Sequence, residues 1–341
     1  MNIDLASDLA SDLAPDLVRT FPFPFPQDIY RYSTNVERAG AAVETPAGQW
    51  GESVVHIDSE YAHELGERQA ILGRDPSRMQ VLPHMRASAW DAMLTIMQAL
   101  ALAHPEQMVL EREGEGETFL WTNRLLGIEQ RFSYGDEDTL PDEPLTFIGA
   151  QVQEDIALLD QREGQLFVDA GLVTFAADWS FGFDVGMSFL EIHGPVPRVH
   201  QTGVIARAQK FLMRLQADAP HRRTNWSLTV GRRLDVSTET YPEWGPDRTR
   251  ILTVDDDAFG AEVHLRVEVQ HLVRLPESGS VMFLIRTYLL PLEAIAGIEP
   301  WRARLHAVLA ELPEDMADYK GFIAYRDRAV QWLSARAPQE G

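Results

Sequence analysis

Apolar and polar side chains alternate through the stretch VEVQHLVRLP and the residues just before it. Val267, Val269, Val273 and Leu275 hold one parity, and His264, Arg266, Glu268 and Gln270 hold the other. Side chains alternate across a strand, so this period of two predicts a strand with one apolar face. The ordinary outcome is a sheet whose polar face meets water. The alternative is that a carboxylate and a cation look into a ligand pocket. The same alternation recurs in HRRTNWSLTV at 221–230. There Arg223, Asn225, Ser227 and Thr229 share one parity, and Trp226, Leu228 and Val230 share the other. The ordinary reading is a wet-faced strand with Trp226 in the core. The functional reading adds Arg223 and Asn225 to Glu268 as convergent polar groups.

Strand-like composition also marks 151–159, 165–169, 172–176, 225–230, 262–275 and 281–289. Helical spacing marks 60–72, 86–103, 203–216 and the chain from 292 onward, with breaks at Pro300 and Pro313. Trp90, Met93, Leu94, Met97 and Leu100 form a stripe that reads as core. Residues 4–17, DLASDLASDLAPDL, place Leu5, Leu9, Leu13 and Leu17 on one helical stripe that Pro15 interrupts, predicting a short acidic tail. FPFPFP at 21–26 predicts an extended arm, because each residue before a proline is pushed out of the helical region. Phe21, Phe23 and Phe25 are expected to pack onto the globule. EREGEGE at 111–117 predicts a turn, and YGDEDTLPDEP at 134–144 a polar linker and boundary. The pattern is an α+β arrangement, a mainly antiparallel sheet between helical flanks. It divides into a tail and arm (1–45), a helical N-terminal region (46–149), a sheet core (150–292) and C-terminal helices (293–341).

Charge narrows the function. The 341 residues carry 52 acidic and 30 basic side chains, a formal charge of −22. Sequence-independent binding to phosphate backbones or anionic membranes needs Lys/Arg patches, and this balance argues against it. The chain has no cysteine, which excludes disulfides, thiolate metal sites and Cys-ligated iron–sulfur clusters within it. No apolar run reaches the roughly 18–20 residues of a membrane span. The N-terminus lacks a basic flank followed by an apolar core, so a cytoplasmic location is expected.

No phosphate-binding glycine loop, H-E-x-x-H or G-x-S-x-G is present, which argues against nucleotide-binding folds and serine hydrolases. Among the ten histidines His193 stands apart. It follows MSFLEI and precedes G-P-V-P, which stiffens the backbone after it. A rigid loop beside an imidazole suits axial metal ligation, and it also suits an ordinary turn.

Five stretches in order carry a family resemblance: VQEDIALL (152–159), Trp179, LEIHGPVP (190–197), RTNWSL (223–228) and VQHLVRLPESGSVMFLIRTYLLPL (269–292). Together they resemble the haem-dependent oxidative N-demethylase family, the haem subunit of bacterial dimethylamine monooxygenase. Val269 departs from it, since a basic residue is expected there in many relatives. The resemblance implies a PAS-like antiparallel core that binds haem b noncovalently. It implies oxidation of dimethylamine to methylamine and formaldehyde with O₂ and NADPH-derived electrons. FMN, a 2Fe–2S cluster, NADPH and tetrahydrofolate are expected on partner subunits, a flavin/iron–sulfur reductase and a folate-binding component.

In this setting His193 is expected as the axial ligand. Arg223 is expected near the haem, against the negative charge that oxygen gains during activation. Glu268 is expected to hold the substrate ammonium, with Asn225 beside it. The alternative is a haem-binding PAS-type gas sensor without catalysis. It would share His193 and Arg223 and need no substrate carboxylate.

Overall fold

A computed structural model describes residues 14–114, 116–198 and 202–337. Most of the DLAS repeat, Glu115 and His200 lie outside the described residues. The strands are β1 (Glu37–Arg38), β2 (Val43–Thr45), β3 (Gly48–Trp50), β4 (Met79–Val81), β5 (Met108–Glu113), β6 (Thr118–Asn123), β7 (Ile128–Ser133), β8 (Asp155–Arg162), β9 (Gln165–Leu172), β10 (His221–Val230), β11 (Val263–Arg274) and β12 (Val281–Pro291). Seven of them form one antiparallel sheet in the order β1-β10-β11-β12-β8-β9-β4. Helices lie before and after it, so the α+β expectation holds.

The long β11–β12 hairpin is the centre of the sheet. Its turn, residues 275–280, is gripped by Asp91 of the helix Arg86–Ala103. The Asp91 carboxylate accepts from the backbone N–H groups of Glu277 (3.0 Å) and Ser278 (2.7 Å) and from the Ser278 hydroxyl (2.8 Å). This one acid in an apolar helix therefore satisfies turn amides that burial would otherwise leave unpaired.

The odd-numbered face of β11 packs on two cores. Val273 and Leu275 join Trp90, Met93 and Met97 of the helix Arg86–Ala103. Val263, Leu265 and Val267 join the C-terminal helices Glu299–Glu311 and Ile323–Ala335. The phenylalanine arm behaves as expected: Phe21, Phe23 and Phe25 are all buried. Phe23 stacks on Trp301 (4.9 Å, 7°), and Phe25 meets Trp226 edge-on (4.9 Å, 79°). Between the two cores, buried Arg286 of β12 pairs with Asp58 (2.6 Å) and Glu64 (2.8 Å) and ties the helix Tyr61–Arg74 to the sheet. Val269 lies opposite Arg286 in the ladder, so its face is polar there rather than apolar.

The even-numbered face is split. At one end Leu272 packs with Leu159, Leu166, Val281, Leu212 and Leu215, where the helix Val204–Leu212 crosses. At the other end stand Arg266, Glu268 and Gln270.

Several elements differ from expectation. The region expected to be helical also supplies β4 to the main sheet and a separate three-stranded sheet, β5-β6-β7. Only β6 alternates cleanly, burying Phe119, Trp121 and Asn123, so its neighbours carried little signal. The described chain begins in the helix Ala14–Thr20, which holds Pro15 in its first turn, where its missing N–H costs nothing; whether Pro15 interrupts the leucine stripe lies outside the described residues. The stretch 173–176 is a buried loop. The Asp155 carboxylate accepts from the backbone N–H groups of Thr174 (2.9 Å) and Phe175 (2.8 Å), replacing a strand ladder. Among the described residues no helix is long and apolar enough to cross a membrane.

Candidate functional site

The polar row of β11 is not a solvated sheet surface. His264, Arg266, Glu268 and Gln270 are all buried, with Glu268 only 8 % exposed. The wet-face expectation fails because groups from distant segments close over the row. Arg266 donates to the carbonyl oxygens of Leu234 (2.8 Å) and Phe175 and to the Thr287 hydroxyl (3.3 Å).

The register of β10 against β11 sets Arg223 opposite Gln270, Asn225 opposite Glu268 and Ser227 opposite Arg266. Cross-strand neighbours lie close enough for side chains to interact directly. Arg223 Nη1 donates to Gln270 Oε1 (3.0 Å), and Gln270 Nε2 donates to Glu268 Oε2 (2.9 Å). Asn225 Nδ2 donates to the same oxygen (3.3 Å). Arg266 Nε reaches Glu268 Oε1 only at 3.5 Å, a long contact that leaves this oxygen with accepting capacity. Trp226, expected in the core, is half-buried between Phe25 and Lys320.

Two residues that the pattern along the chain did not flag complete the cluster. The helix Glu314–Tyr319 ends at Lys320 in a paired C-terminal motif: Gly321 N–H donates to Asp318 O (2.8 Å) and Phe322 N–H to Ala317 O (3.1 Å). Gly321 has φ +77°, and a Cβ there would strike Arg248, so the position calls for glycine. This turn delivers Lys320 Nζ to Asn225 Oδ1 (3.2 Å) and Trp226 O (2.6 Å), over the Trp226 ring (4.8 Å). Burial pushes the Lys320 ammonium down to about 8; the Arg223 charge lowers it further and the Glu268 carboxylate opposes both. Tyr319 is partly exposed. Its phenol is nonetheless raised, first by desolvation and then by Glu268.

His193 sits at the end of the short helix Phe189–Ile192, which a reciprocal Ser188–Glu191 capping box starts. Its Nδ1–H donates to Phe189 O (2.7 Å), since a carbonyl can only accept. That fixes the tautomer and leaves the Nε2 lone pair without a hydrogen-bond partner among the described residues. Burial lowers the basicity of His193, the Phe189 hydrogen bond opposes this, and the Arg223 charge lowers it again, so the ring is neutral near pH 7. The following loop is tied down by Tyr32 OH donating to Pro197 O (2.9 Å) and by a two-bond Arg198–Asp315 pair (2.9 and 2.8 Å).

The structure therefore joins Arg223, Asn225 and Glu268 in one network. His193 stands on a separate loop within reach of the Arg223 charge and bonds to none of the three. His221 offers a similar ring, its Nδ1–H on Ala219 O (2.8 Å), but Phe211 covers it edge-on (5.0 Å). His84, Asp160 and Asp169 form a separate His–carboxylate group, where Arg162 already pairs with both acids. A cavity of about 240 Å³ lined by Met79, Trp90 and Glu143 contains none of the expected site residues.

The fold and site thus define an α+β protein with a largely buried polar row across two adjacent strands, β10 and β11, and a neutral imidazole within reach of its Arg223 charge. A comparison with protein families matches residues 47–330 to the haem-dependent oxidative N-demethylase, alpha subunit-like family. The chain belongs to that family. The match reaches well beyond 150–292, the span of the stretches that carried the resemblance.

The residues present fit a haem. His193 offers one neutral nitrogen. Val36, Val168, Phe189, Met213 and Phe283 give a half-buried apolar row around the Leu272 core. Arg223 and Lys320 supply cations. Without cysteine, a Cys-x-x-Cys-His covalent attachment is ruled out.

Proposed function

We propose that the chain is the haem b-bearing subunit of a multi-subunit oxidative N-demethylase that converts dimethylamine to methylamine and formaldehyde. O₂ and NADPH-derived electrons would be consumed, with FMN, 2Fe–2S, NADPH and tetrahydrofolate held by partner subunits. The observation that carries the reading is the Arg223–Gln270–Glu268–Asn225 row, buried on the β11 side and half-buried on the β10 side, within reach of a histidine whose Nε2 has no hydrogen-bond partner among the described residues. The strand order β10-β11-β12-β8-β9 supports a PAS-like unit over 150–292, in which an early hairpin lies beside the last strand of a later meander.

Haem, when bound, supplies the oxygen-activating redox chemistry. In this reading His193 Nε2 would hold the haem iron, and its Phe189 hydrogen bond orients the ring for that role. Glu268 holds the dialkylammonium at Oε1, the oxygen with spare accepting capacity. Gln270 and Asn225 occupy Oε2 and fix the carboxylate plane. Burial strengthens the attraction, because few water dipoles screen it. Asn225 cannot turn without cost, since its own oxygen accepts from Lys320. Arg223, oriented by Thr34 O (3.0 Å) and Gln270, presents a fixed cation to charge that develops on oxygen.

The test is direct. Haem-loaded protein, dimethylamine, a reductant and air should yield formaldehyde and methylamine in equal amounts. A protein that takes up haem and binds O₂ reversibly, but leaves the amine intact with electrons supplied, is the sensor instead.

A further inference from the structure

The polar row has too much positive charge for its one carboxylate. Arg223, Arg266 and Lys320 converge on Glu268, and only Arg266 comes within 4.0 Å of it. Among the described residues neither Arg223 nor Lys320 has a carboxylate partner. Arg223 spends its Nε–H on Thr34 O and one Nη1–H on Gln270. Lys320 spends two protons on Asn225 and Trp226 and keeps a third. The nearby Asp178 is not free to help, because it pairs with Arg248 at 2.6 Å. Desolvating a cation is costly unless an anion meets it. Two adjacent, half-buried cations with unspent donors and no directly paired carboxylate among the described residues are an incomplete site.

We infer that Arg223 and Lys320 form a carboxylate-binding subsite, completed by a ligand that brings its own carboxylate. This rests on reading the row as the ligand site. It adds Lys320, from the far end of the chain, to that site. Two ligands could supply the chemistry: a propionate of haem, or a substrate that is an N-methylated amino acid rather than a simple amine. A simple dialkylammonium held at Glu268 supplies no anion, so with that substrate the carboxylate must come from the haem.

Lys320→Gln keeps a hydrogen-bond donor for Trp226 O and removes the charge, and Lys320→Arg keeps the charge. In the first arm, haem-free protein is titrated with haemin and with haemin dimethyl ester, followed at the Soret band. If a propionate is the ligand, the wild type favours haemin at least about tenfold, Lys320→Gln reduces the preference to below about threefold, and Lys320→Arg restores it. In the second arm, haem-loaded protein is titrated calorimetrically with N-methylglycine and with N-methylglycinamide. If the substrate supplies the carboxylate, the preference and its loss in Lys320→Gln appear here instead. The subsite is overturned if Lys320→Gln folds, by circular dichroism, and leaves both preferences at their wild-type values. It is equally overturned if the wild type has neither preference. A wild type that takes up no haemin would end the haem reading. N-methylglycine titration of the haem-free protein, wild type against Lys320→Gln, then decides the subsite alone.

Discussion

Arg223 and Glu268 are joined through a third side chain: Gln270 accepts from Arg223 at 3.0 Å and donates to Glu268 at 2.9 Å. The amide therefore sets both the cation and the carboxylate, and each half of the site depends on it. Gln270→Leu fills similar space but removes one hydrogen bond from each partner, leaving Arg223 only its bond to Thr34 O and Glu268 only those from Asn225 and Arg266. A loss of about 1–3 kcal/mol of stability is expected, because the uncompensated desolvation remains. Urea unfolding of the two proteins measures it, and a loss under about 0.5 kcal/mol would mean that the relay contributes little.

Glu268→Gln keeps the shape of the carboxylate and removes its charge. Haem uptake should survive. Amine binding should weaken by a factor of more than about 100, since removing one partner of a buried charge pair costs about 3–5 kcal/mol. Titration of ferric protein with dimethylamine, read at the Soret band, checks this. Equal affinity in the variant would move the substrate away from β11.

Arg266 is a structural member of the same row. Its guanidinium bridges the carbonyl oxygens of Phe175 and Leu234 and faces Glu268. Arg266→Met strands those carbonyls and leaves Glu268 without its nearest cation. About 3–5 kcal/mol of destabilisation is expected, a large share of the roughly 5–15 kcal/mol that holds a domain together. Thermal unfolding should show a lower midpoint together with weakened haem retention. An unchanged midpoint would show that the row is not a supporting element.

The parity of 221–230 and 262–275 is enough to place Arg223, Asn225 and Glu268 on one face, and the register then sets Asn225 opposite Glu268. Burial is not legible in the same way. A period of two says which residues share a face and nothing of what covers it, and here the cover comes from Phe175, Leu234 and Lys320, all remote along the chain. Lys320 was hidden for a different reason. A lysine before a glycine at a helix end reads as routine capping, and its turn toward Asn225 is tertiary. One signal was available: among the 30 basic residues only Lys210 and Lys320 are lysines. Lysine is the basic side chain that changes charge readily when buried. The β5–β7 sheet escaped because β5 and β7 are mostly half-buried or exposed and so barely alternate.

Lys320 gives the site a pH dependence. Burial lowers its ammonium to about 8. Only the charged form attracts a carboxylate, so carboxylate affinity should be full below about pH 8 and fall as pH rises through that value. Stability runs the opposite way: the cost of burying the charge is present in full below about 8 and is gone once the unfolded lysine has also lost its proton, so this contribution to stability rises with pH. Calorimetric titration with N-methylglycine, or haemin uptake, at pH 7 and pH 9.5 measures the first effect. Lys320→Arg stays charged and should be flat over this range. A wild type as flat as Lys320→Arg would remove Lys320 from the carboxylate subsite.

The central claim is that haem binds through Nε2 of His193, within reach of the Arg223 charge. It is tested most directly by titrating haemin into haem-free wild type, His193→Ala, His221→Ala and His56→Ala and recording the visible spectrum. The wild type, His221→Ala and His56→Ala are expected to give the same sharp, saturable Soret band at one haem per chain. His193→Ala should lose it or show a different axial ligation, with imidazole in the buffer restoring the parent spectrum. An unchanged band in His193→Ala, with its loss in His221→Ala, would place the iron at the start of β10 and contradict the assignment.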